Sequence, residues 1–506
     1  MNGIAETLNW IVEGFLITAT DPLNLLLMAL GTFLGIIVGA LPGFSSPMAI
    51  VILLPITYHL KIPAVAALLL LMGVYCGTKL GGSYPAVLLR TPGTPAGACT
   101  ALDGYPMAQR GEAGKAIGYA IMGSTFGGVF GWVIAVIFVP ILGQVAVNSR
   151  PEDIAVIGML GLVLVSAFVR GNIIRGLIGV FIGLLLATVG QDANDGAARF
   201  VFGIPELNSG IPFAAALVGF FGVAVVLSDI KEIGRKQQLV SQQLTLSMPK
   251  LNEVRKYWKC MSIGSLYGTL IGAIPGVGAE GSTWVAYATV KNRDKHPERF
   301  GNGAPEGVLT PESCNNANNG GTMVPMLTLG IPGDASTAIM LGALVLYGVD
   351  PGVTLMRDHP QLVYALLAGL LVSTVFMFFI AWFTCPLFIR VLKQDRAWLF
   401  PFILVLAVMG AFAGENTMYP VYVALGFGVL GYIFERCNFS VVPVVLGIIL
   451  GPVIENNART ALATHAGDWL VFINSWWRAG MLALVVWILA SNIYKSFMRD
   501  SASENG

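Results

Sequence analysis

Long apolar windows, separated by short polar segments, follow one another along most of the chain. In the first half they cover residues 22–60, which is long enough for two crossings, and 62–77, 116–149, 154–169, 173–190 and 211–228. A helix needs about 20 mostly apolar residues to cross the hydrocarbon core of a bilayer. The pattern therefore predicts seven membrane-spanning α-helices before the polar segment at residues 229–259.

The glycine and proline pattern of the first half then recurs. Six positions recur at an offset of 233: Gly31, Gly35, Gly39, Ala40, Pro42 and Gly43 match Gly264, Gly268, Gly272, Ala273, Pro275 and Gly276. Five more recur at an offset of 240: Gly81, Pro85, Leu89, Pro92 and Gly93 match Gly321, Pro325, Leu329, Pro332 and Gly333. Matches in the same order at nearly one offset predict an internal duplication.

The basic loops predict the orientation of the two halves. Residues 229–259 carry seven Lys and Arg, and loops rich in these residues stay in the cytoplasm. Seven crossings is an odd number, so the second half should enter the membrane with the opposite orientation. We therefore expect two inverted-topology repeats, an architecture found in secondary transporters.

These signals divide the chain into six segments. We expect an interfacial N-terminal helix at 1–21, with a short first span as the alternative, because its apolar residues fall at helical spacing. The remaining segments are a first membrane repeat at 22–230, a cytoplasmic loop at 231–259, a second membrane repeat at 260–455, a periplasmic loop and final span at 456–494, and a cytoplasmic tail at 495–506.

Composition supports an all-α polytopic membrane protein and excludes other classes. Only 11% of residues are charged, against about 25% in typical soluble domains. With 29 Lys and Arg against 28 Asp and Glu, the chain has no basic field that could hold nucleic acid. The cysteines and histidines are dispersed, and no phosphate-binding glycine loop is present. We therefore expect neither an enzyme nor a resident cofactor.

Two segments are too polar and too interrupted to cross the membrane. Residues 81–101 and 320–341 each contain a short apolar arm, a Pro-Gly pair and then small or hydroxyl residues. A Pro-Gly pair forces a turn, and the backbone groups that it frees must line a protein-enclosed cavity rather than face lipid. We interpret both as re-entrant hairpins, with an ordinary kinked helix as the alternative.

The first helix of each repeat should also be broken. Ser45 and Ser46 follow the Pro42–Gly43 pair, and the matching break lies at Pro275–Gly276. Broken helices direct N-terminal N–H groups at anions and C-terminal carbonyls at cations. Close helix packing alone could explain Gly31, Gly35 and Gly39.

The most polar run at membrane depth covers residues 311–322. It contains four asparagines, which are Asn315, Asn316, Asn318 and Asn319. Asparagine offers donors and acceptors without a charge and so suits both a carboxylate and a partly dehydrated cation. A solvated loop is the alternative, since Asn and Gly favour turns.

These motifs resemble those of a known transporter family. The breaks GALPG and GAIPG, the segments GGS…TPGTP and DGYPMAQRGEAGKA, the run PESCNNANNGG and LTLGIPG are similar to the large membrane subunit of the tripartite tricarboxylate transporters. The resemblance covers residues 31–455. It implies a bacterial inner-membrane importer driven by an ion gradient, with a periplasmic solute-binding protein and a small four-span membrane subunit as partners. The chain departs from the family pattern at Lys79, Leu80 and Arg90.

The resulting hypothesis is an ion-coupled importer of tricarboxylates, dicarboxylates or related anions; a channel or passive pore for small anions is the alternative. Its opposed hairpins suit an elevator-like mechanism. The candidate substrate-binding residues are Ser45, Ser46, Ser83, Arg90, Thr91, Gly93, Thr94, Asn315, Asn316, Asn319, Thr322 and Gly333. The candidate ion-binding residues are Gly43, Ser45, Pro275, Gly276, Asn315 and Asn318.

Two further questions stay open at this stage. The coupling ion is Na⁺ or H⁺: oxygen-rich sites favour Na⁺, whereas H⁺ would need a titrating acid such as Glu280 or Glu312. A cation at membrane depth normally faces a cavity or a partner. We therefore expect either that one of the two, with Arg90 preferred over Lys79, binds a substrate carboxylate, or that Lys79 reaches the cytoplasmic surface while Arg90 pairs with Asp334 or another acid.

Overall fold

The computed structural model describes residues 2–41, 43–168, 173–192, 196–229, 246–392 and 399–504. The predicted break residue Pro42 and three of the basic residues used for orientation, Lys231, Arg235 and Lys236, lie outside this description. The helices before the central polar segment are α1 (Asn2–Thr20), α2 (Pro22–Ala40), α3 (Ser46–His59), α4 (Ala64–Gly81), α5 (Ser83–Leu89), α6 (Ala98–Gln109), α7 (Ala113–Val147), α8 (Pro151–Phe168), α9 (Ile173–Ala187), α10 (Phe213–Leu217) and α11 (Ala224–Asp229).

A second series of helices follows the central segment. It comprises α12 (Leu251–Gly272), α13 (Gly278–Arg293), α14 (Pro305–Leu329), α15 (Ala335–Leu346), α16 (Val353–Asp358), α17 (Pro360–Leu392), α18 (Leu399–Glu415), α19 (Tyr419–Arg436), α20 (Val442–Thr464) and α21 (Trp476–Glu504). A π-helical stretch (Val218–Val223) joins α10 to α11. Two short antiparallel strands, β1 (Gly190–Gln191) and β2 (Ala198–Arg199), form the one sheet in the described residues.

The predicted all-α membrane class is confirmed. Four segments are helical, long and apolar enough to cross a bilayer: Pro22–Ala40, Ala64–Leu89, Ala113–Gln144 and Pro360–Leu387. Several shorter apolar helices accompany them, among them Ile173–Ala187 and Trp476–Ser491. Large apolar side chains such as Phe181 and Phe383 are exposed on the outer surface, which suits contact with lipid.

Glycine allows α2 to pack directly on α4. A Cβ atom on Gly35 would lie 2.6 Å from the carbonyl oxygen of Val74, and one on Gly31 or Gly39 would overlap a backbone oxygen of α4. In α12, Gly264 and Gly268 lie equally close to backbone carbonyls of α14. The packing explanation for these glycines is therefore confirmed, because only a residue without Cβ permits this approach.

Both predicted helix breaks and both Pro-Gly turns are present. The chain leaves the helical conformation between α2 and α3 and again between α12 and α13. The φ angle is 90° at Gly43 in the first break and 86° at Gly276 in the second. The turns follow α5 and α14, where Arg90 and Gly330 take left-handed conformations. The same succession of broken helix, helix, turn and short helix thus occurs in each half.

Several boundaries differ from the sequence prediction. The second hairpin was expected to begin at residue 320, but α14 continues unbroken from Pro305 to Leu329. Residues 103–115, between the predicted first hairpin and the apolar window at 116–149, are mostly helical, since α6 reaches Gln109 and α7 begins at Ala113. In the same way, α12 begins at Leu251 inside the expected cytoplasmic loop, α20 crosses the expected limit at residue 455, and α21 includes most of the expected tail.

The expected interfacial segment at 1–21 forms a helix, α1, that packs on α17. The hydroxyl of Thr18 donates to the carbonyl oxygen of Ala365 at 3.0 Å, and Gly14 lies against the backbone of Tyr364. On the opposite side of α1, Leu8 and Val12 are exposed. The position of α1 relative to the bilayer stays a prediction.

Candidate functional site

The two Pro-Gly turns pack against the two helix breaks. The backbone N–H of Gly276, in the second break, donates to the carbonyl oxygen of Gly333 at 3.0 Å. A Cβ on Gly93 would overlap the carbonyl oxygen of Gly39, four residues before Gly43. Each turn is thereby held at the place where a helix of its own half ends, and the buried backbone groups of turn and break lie together.

A layer of buried polar side chains between α4 and α14 adjoins these turns. The hydroxyl of Tyr75 donates to Oδ2 of Asp334 at 2.7 Å and lies 3.1 Å from Oγ1 of Thr322. Nζ of Lys79 donates to Oδ1 of Asn318 at 3.0 Å. Since Asp334 is the N-cap of α15, this layer ties the second turn to the centre of α4.

Further contacts extend the same layer. Nδ2 of Asn319 points to Sγ of Cys76 at 3.7 Å, and the hydroxyl of Thr78 bonds Oγ of Ser46 at the start of α3. All four asparagines of the polar run are helical and no more than 1% exposed, so the alternative of a solvated loop is wrong. We call residues 75–79 of α4, residues 315–322 of α14 and the two turns the central cluster.

Four predicted site residues in the central cluster carry buried oxygen atoms without a partner. Within the described residues, no hydrogen bond reaches Oγ1 of Thr91, Oγ1 of Thr94, Oδ1 of Asn315 or Oδ1 of Asn319. Buried polar atoms in native proteins are nearly always paired, and an unpaired one indicates a ligand, an ion or water. The hydroxyls can donate to a carboxylate, and the amide oxygens can bind a cation or a substrate hydroxyl.

Three other predicted site residues lie in different surroundings from these four. Arg90 is exposed at the outer end of the first turn, with its guanidinium 5.9 Å from the ring centre of Tyr105. Nδ2 of Asn316 donates to the carbonyl oxygen of Glu312 in its own helix, away from α4. Ser83 is buried at the start of α5, one turn after Lys79.

Lys79 is buried beside Asp334, and Arg90 is exposed, which is the reverse of the second expectation from the sequence. Lys79 does not reach the surface: it is 5% exposed, and its ammonium lies 3.8 Å from Oδ2 of Asp334. The expected pair of Arg90 with Asp334 is therefore wrong, because Lys79 occupies that position. A charge at the bilayer centre costs roughly 2.5–3.5 kcal/mol on insertion scales, which explains why Lys79 lies among oxygens and beside a carboxylate.

Two buried carboxylates hold the helices around the cluster. Glu312 of α14 accepts hydrogen bonds from Thr100 of α6 at 2.5 Å and from Ser124 of α7 at 2.9 Å. Asp103 of α6 accepts from the N–H groups of residues 301, 303 and 304 and from the hydroxyl of Tyr287, all at 2.8–2.9 Å. These bonds connect the helix after the first turn to α13 and α14.

An open cavity of about 520 Å³ lies elsewhere, beside the second turn. Its wall is mostly apolar and includes Leu329, Gly330, Pro351 and Ile449, with Asp350 and Asn456 as polar members. None of the predicted substrate-binding or ion-binding residues lines it. Two residues of its wall, Leu329 and Gly330, lie where α14 ends and the second turn begins.

Sequence reasoning missed Tyr75, Cys76 and Thr78, which supply the α4 side of the cluster. Taken singly, each of these residue types is common in an apolar helix and does not indicate a site. The repeat alignment contained the signal, because it sets residues 74–81 opposite the asparagine run. Asp103 was missed for another reason: it lies between the predicted first hairpin and the apolar window at 116–149, outside every predicted membrane segment.

Comparisons with known proteins place the chain in a family. The model of the tripartite tricarboxylate transporter TctA family matches residues 25–446. An uncharacterised 52.8 kDa protein in the TAR-I ttuC' 3' region of Agrobacterium vitis is 35% identical over 468 residues, 92% of this chain and 92% of that protein.

A second Agrobacterium vitis protein, an uncharacterised one in the TAR-II ttuC' 3' region, is 34% identical over 217 residues. These are 43% of this chain and 90% of that protein. No solved structure gives a significant match. The family model covers more than three quarters of the residues, and the chain belongs to the tripartite tricarboxylate transporter TctA family.

Proposed function

We propose that the chain is the membrane component of an ion-coupled importer of organic carboxylates, either tricarboxylates, dicarboxylates or related anions. It would work in the bacterial inner membrane, receive substrate from a periplasmic binding protein and act together with a small four-span membrane subunit. Family membership supports the transporter class. The observation that carries the substrate class is the set of unpartnered oxygens where the turns meet the asparagine run.

The proposed substrate site lies between the first turn and α14. Hydroxyl groups of Thr91 and Thr94 would donate to a carboxylate, and amides of Asn315 and Asn319 would bind its remaining polar groups. Arg90, at the exposed end of the same turn, is the proposed anion contact nearest to solvent. The site would also include Ser45, Ser46, Ser83, Gly93, Asn316, Thr322 and Gly333.

The proposed coupling ion is Na⁺. Hard cations prefer oxygen ligands, and the helix breaks supply freed backbone carbonyls and a hydroxyl at Gly43, Ser45, Pro275 and Gly276. Asn315 and Asn318 add further oxygens. Glu312 would be the alternative site of proton coupling, but both of its oxygens already accept hydrogen bonds from Thr100 and Ser124.

Two inverted repeats that move as an elevator are the proposed mechanism. Contacts between the halves come in matched pairs. The contact of α7 with α14 matches that of α17 with α4, and the contact of α9 with α20 matches that of α19 with residues 218–223. Both halves also hold their turn against their own helix break. Such a unit would carry the substrate past a scaffold that includes α8, with α7 and α17 as the connecting arms.

Counterflow in proteoliposomes tests the function. Vesicles with this chain and its small subunit are loaded with unlabelled citrate, and uptake of labelled citrate, succinate or benzoate is followed without an ion gradient. A carrier accumulates label transiently against its gradient, whereas a pore only equilibrates it. Accumulation of a carboxylate supports the proposal; equilibration alone would favour the pore.

Matched threonine variants test the site. Thr94→Ala should raise the KM of the transported carboxylate about 10- to 150-fold, because one hydrogen bond to a charged group contributes about 1.5–3 kcal/mol. Thr374→Ala is the control, since the hydroxyl of Thr374 donates to its own helix at Leu370. Arg90→Lys should also raise KM, because Lys lacks the planar fork of Arg.

A further inference from the structure

The ammonium group of Lys79 lies inside a shell of oxygen atoms. It donates to Oδ1 of Asn318 at 3.0 Å and to the backbone carbonyl of Asn315 at 3.2 Å, and it lies 3.8 Å from Oδ2 of Asp334. The ring centre of Tyr75 is 4.7 Å away. Two neutral oxygens are thus its nearest partners, with a carboxylate and an aromatic face behind them.

This arrangement differs from an ordinary salt bridge. The carboxylate of Asp334 is engaged elsewhere, because Oδ2 accepts from Tyr75 at 2.7 Å and Oδ1 accepts from the N–H of Thr337 at 2.8 Å. Amide and carbonyl oxygens with one carboxylate form a ligand set that suits a small hard cation. An ammonium group is a compact point charge and can take the place of such a cation.

We propose that the ammonium group of Lys79 is a tethered cation in a site formed by Asn315, Asn318 and Asp334, where a free Na⁺ would otherwise bind. The role of this site in ion coupling rests on the proposed transport function, whereas the existence of the site does not depend on transport. A coupling Na⁺ in this chain would then use the helix breaks at Gly43 and Gly276 without the Asn318 oxygen named for it above, because Oδ1 of Asn318 and the backbone carbonyl of Asn315 already accept from the ammonium group.

Thermal unfolding of the purified full chain in detergent tests this directly. Each variant is unfolded in NaCl and in choline chloride at the same ionic strength. Lys79→Met keeps most of the alkyl stem and removes the ammonium, so Na⁺ can enter. Na⁺ should then raise the Tm of Lys79→Met by about 2–4 °C more than it raises that of the unchanged protein.

Two further variants make the result specific. Lys79→Met combined with Asp334→Asn should lose the extra Na⁺ response, because Asn keeps the N-cap of α15 but removes the charge. Arg90→Met removes a cation from the exposed turn and should respond to Na⁺ as the unchanged protein does. An extra response in Arg90→Met of the same size would contradict a site at Lys79.

The outcome that overturns the proposal is a Lys79→Met protein with the Na⁺ response of the unchanged protein. Recovery of folded Lys79→Met in NaCl but not in choline chloride would support it. If this variant folds in neither salt, Lys79→Gln makes the same comparison, since it is neutral and retains a donor for Asn318. The unfolding experiment contains no substrate. A negative result in it would therefore reject the cation site alone, whereas a negative counterflow result would reject the transport function.

Discussion

At the scale of single residues, the carboxylate of Asp103 makes the densest set of hydrogen bonds that we find. It binds three backbone N–H groups of residues 301–304 and the hydroxyl of Tyr287, and it is fully buried. Asp103→Ala leaves these donors unpaired and should lower the free energy of unfolding by about 3 kcal/mol. A fall of several degrees in Tm, measured by thermal unfolding in detergent, would show this.

Asp358→Ala provides the matched control. Asp358 is exposed and pairs with the adjacent Arg357 at 2.8 Å. Exposed pairs contribute little, so Tm should change by less than about 1 °C in this variant. Equal effects of the two substitutions would mean that the bonds of Asp103 do not stabilise the fold.

Residue types and positions indicated only part of the central cluster. The asparagine run stood out because four amides at membrane depth are costly unless they are used. The burial of Lys79 could not be predicted, because its partners Asn318 and Asp334 are more than 230 positions away in the chain and meet it only through tertiary packing.

At the scale of elements, contact between α2 and α4 depends on glycine. A Cβ at Gly35 would lie 2.6 Å from the carbonyl oxygen of Val74, so Gly35→Ala must separate the two helices. We expect a loss of about 1–3 kcal/mol in the free energy of unfolding, the usual cost of overpacking.

A glycine in α19 serves as the comparison for that test. Nothing lies within 4 Å of a Cβ at Gly426, so Gly426→Ala should gain about 1 kcal/mol from helix propensity alone. Opposite shifts in Tm for Gly35→Ala and Gly426→Ala are the predicted result. A gain in Tm for both would exclude close α2–α4 packing.

Helix breaks were predictable, but helix continuity was not. A Pro-Gly pair frees backbone groups and stops a helix wherever it occurs, so both breaks and both turns followed from local chemistry. The run at 311–322 contains Pro, Gly and Asn, yet it is helical because α7 and α12 pack closely along it, with Gly131 against Ala317 and Gly268 against Cys314. Tertiary packing here overrides a low helix propensity.

At the scale of the whole molecule, the proposed inverted repeats would place equivalent loops on opposite faces of the membrane. Lys61, between α3 and α4, corresponds to Lys295, between α13 and α14, and both are exposed. In a Cys437→Ser background, Lys61→Cys should react with an impermeant maleimide only from the periplasm and Lys295→Cys only from the cytoplasm. Labelling of both from one face would exclude inversion.

An elevator requires the second turn to leave its contact with α8. A Cβ on Gly161 would lie 2.8 Å from Cδ1 of Ile331, so cysteines at these two positions can be cross-linked. Cross-linking should abolish citrate counterflow, and reduction should restore it, while each single-cysteine variant keeps transport under oxidising conditions. Full transport by the cross-linked protein would reject movement at this contact.

In the proposed mechanism, a carboxylate binds where the first turn meets the asparagine run. A cryo-electron microscopy structure of the chain with its small subunit, in saturating citrate, tests it most directly. Ligand density should lie between Thr91 and Thr94 on one side and Asn315 and Asn319 on the other, within hydrogen-bonding distance of their unpaired oxygens. Density confined to the cavity at Leu329 and Asp350, with the central cluster empty, would contradict it.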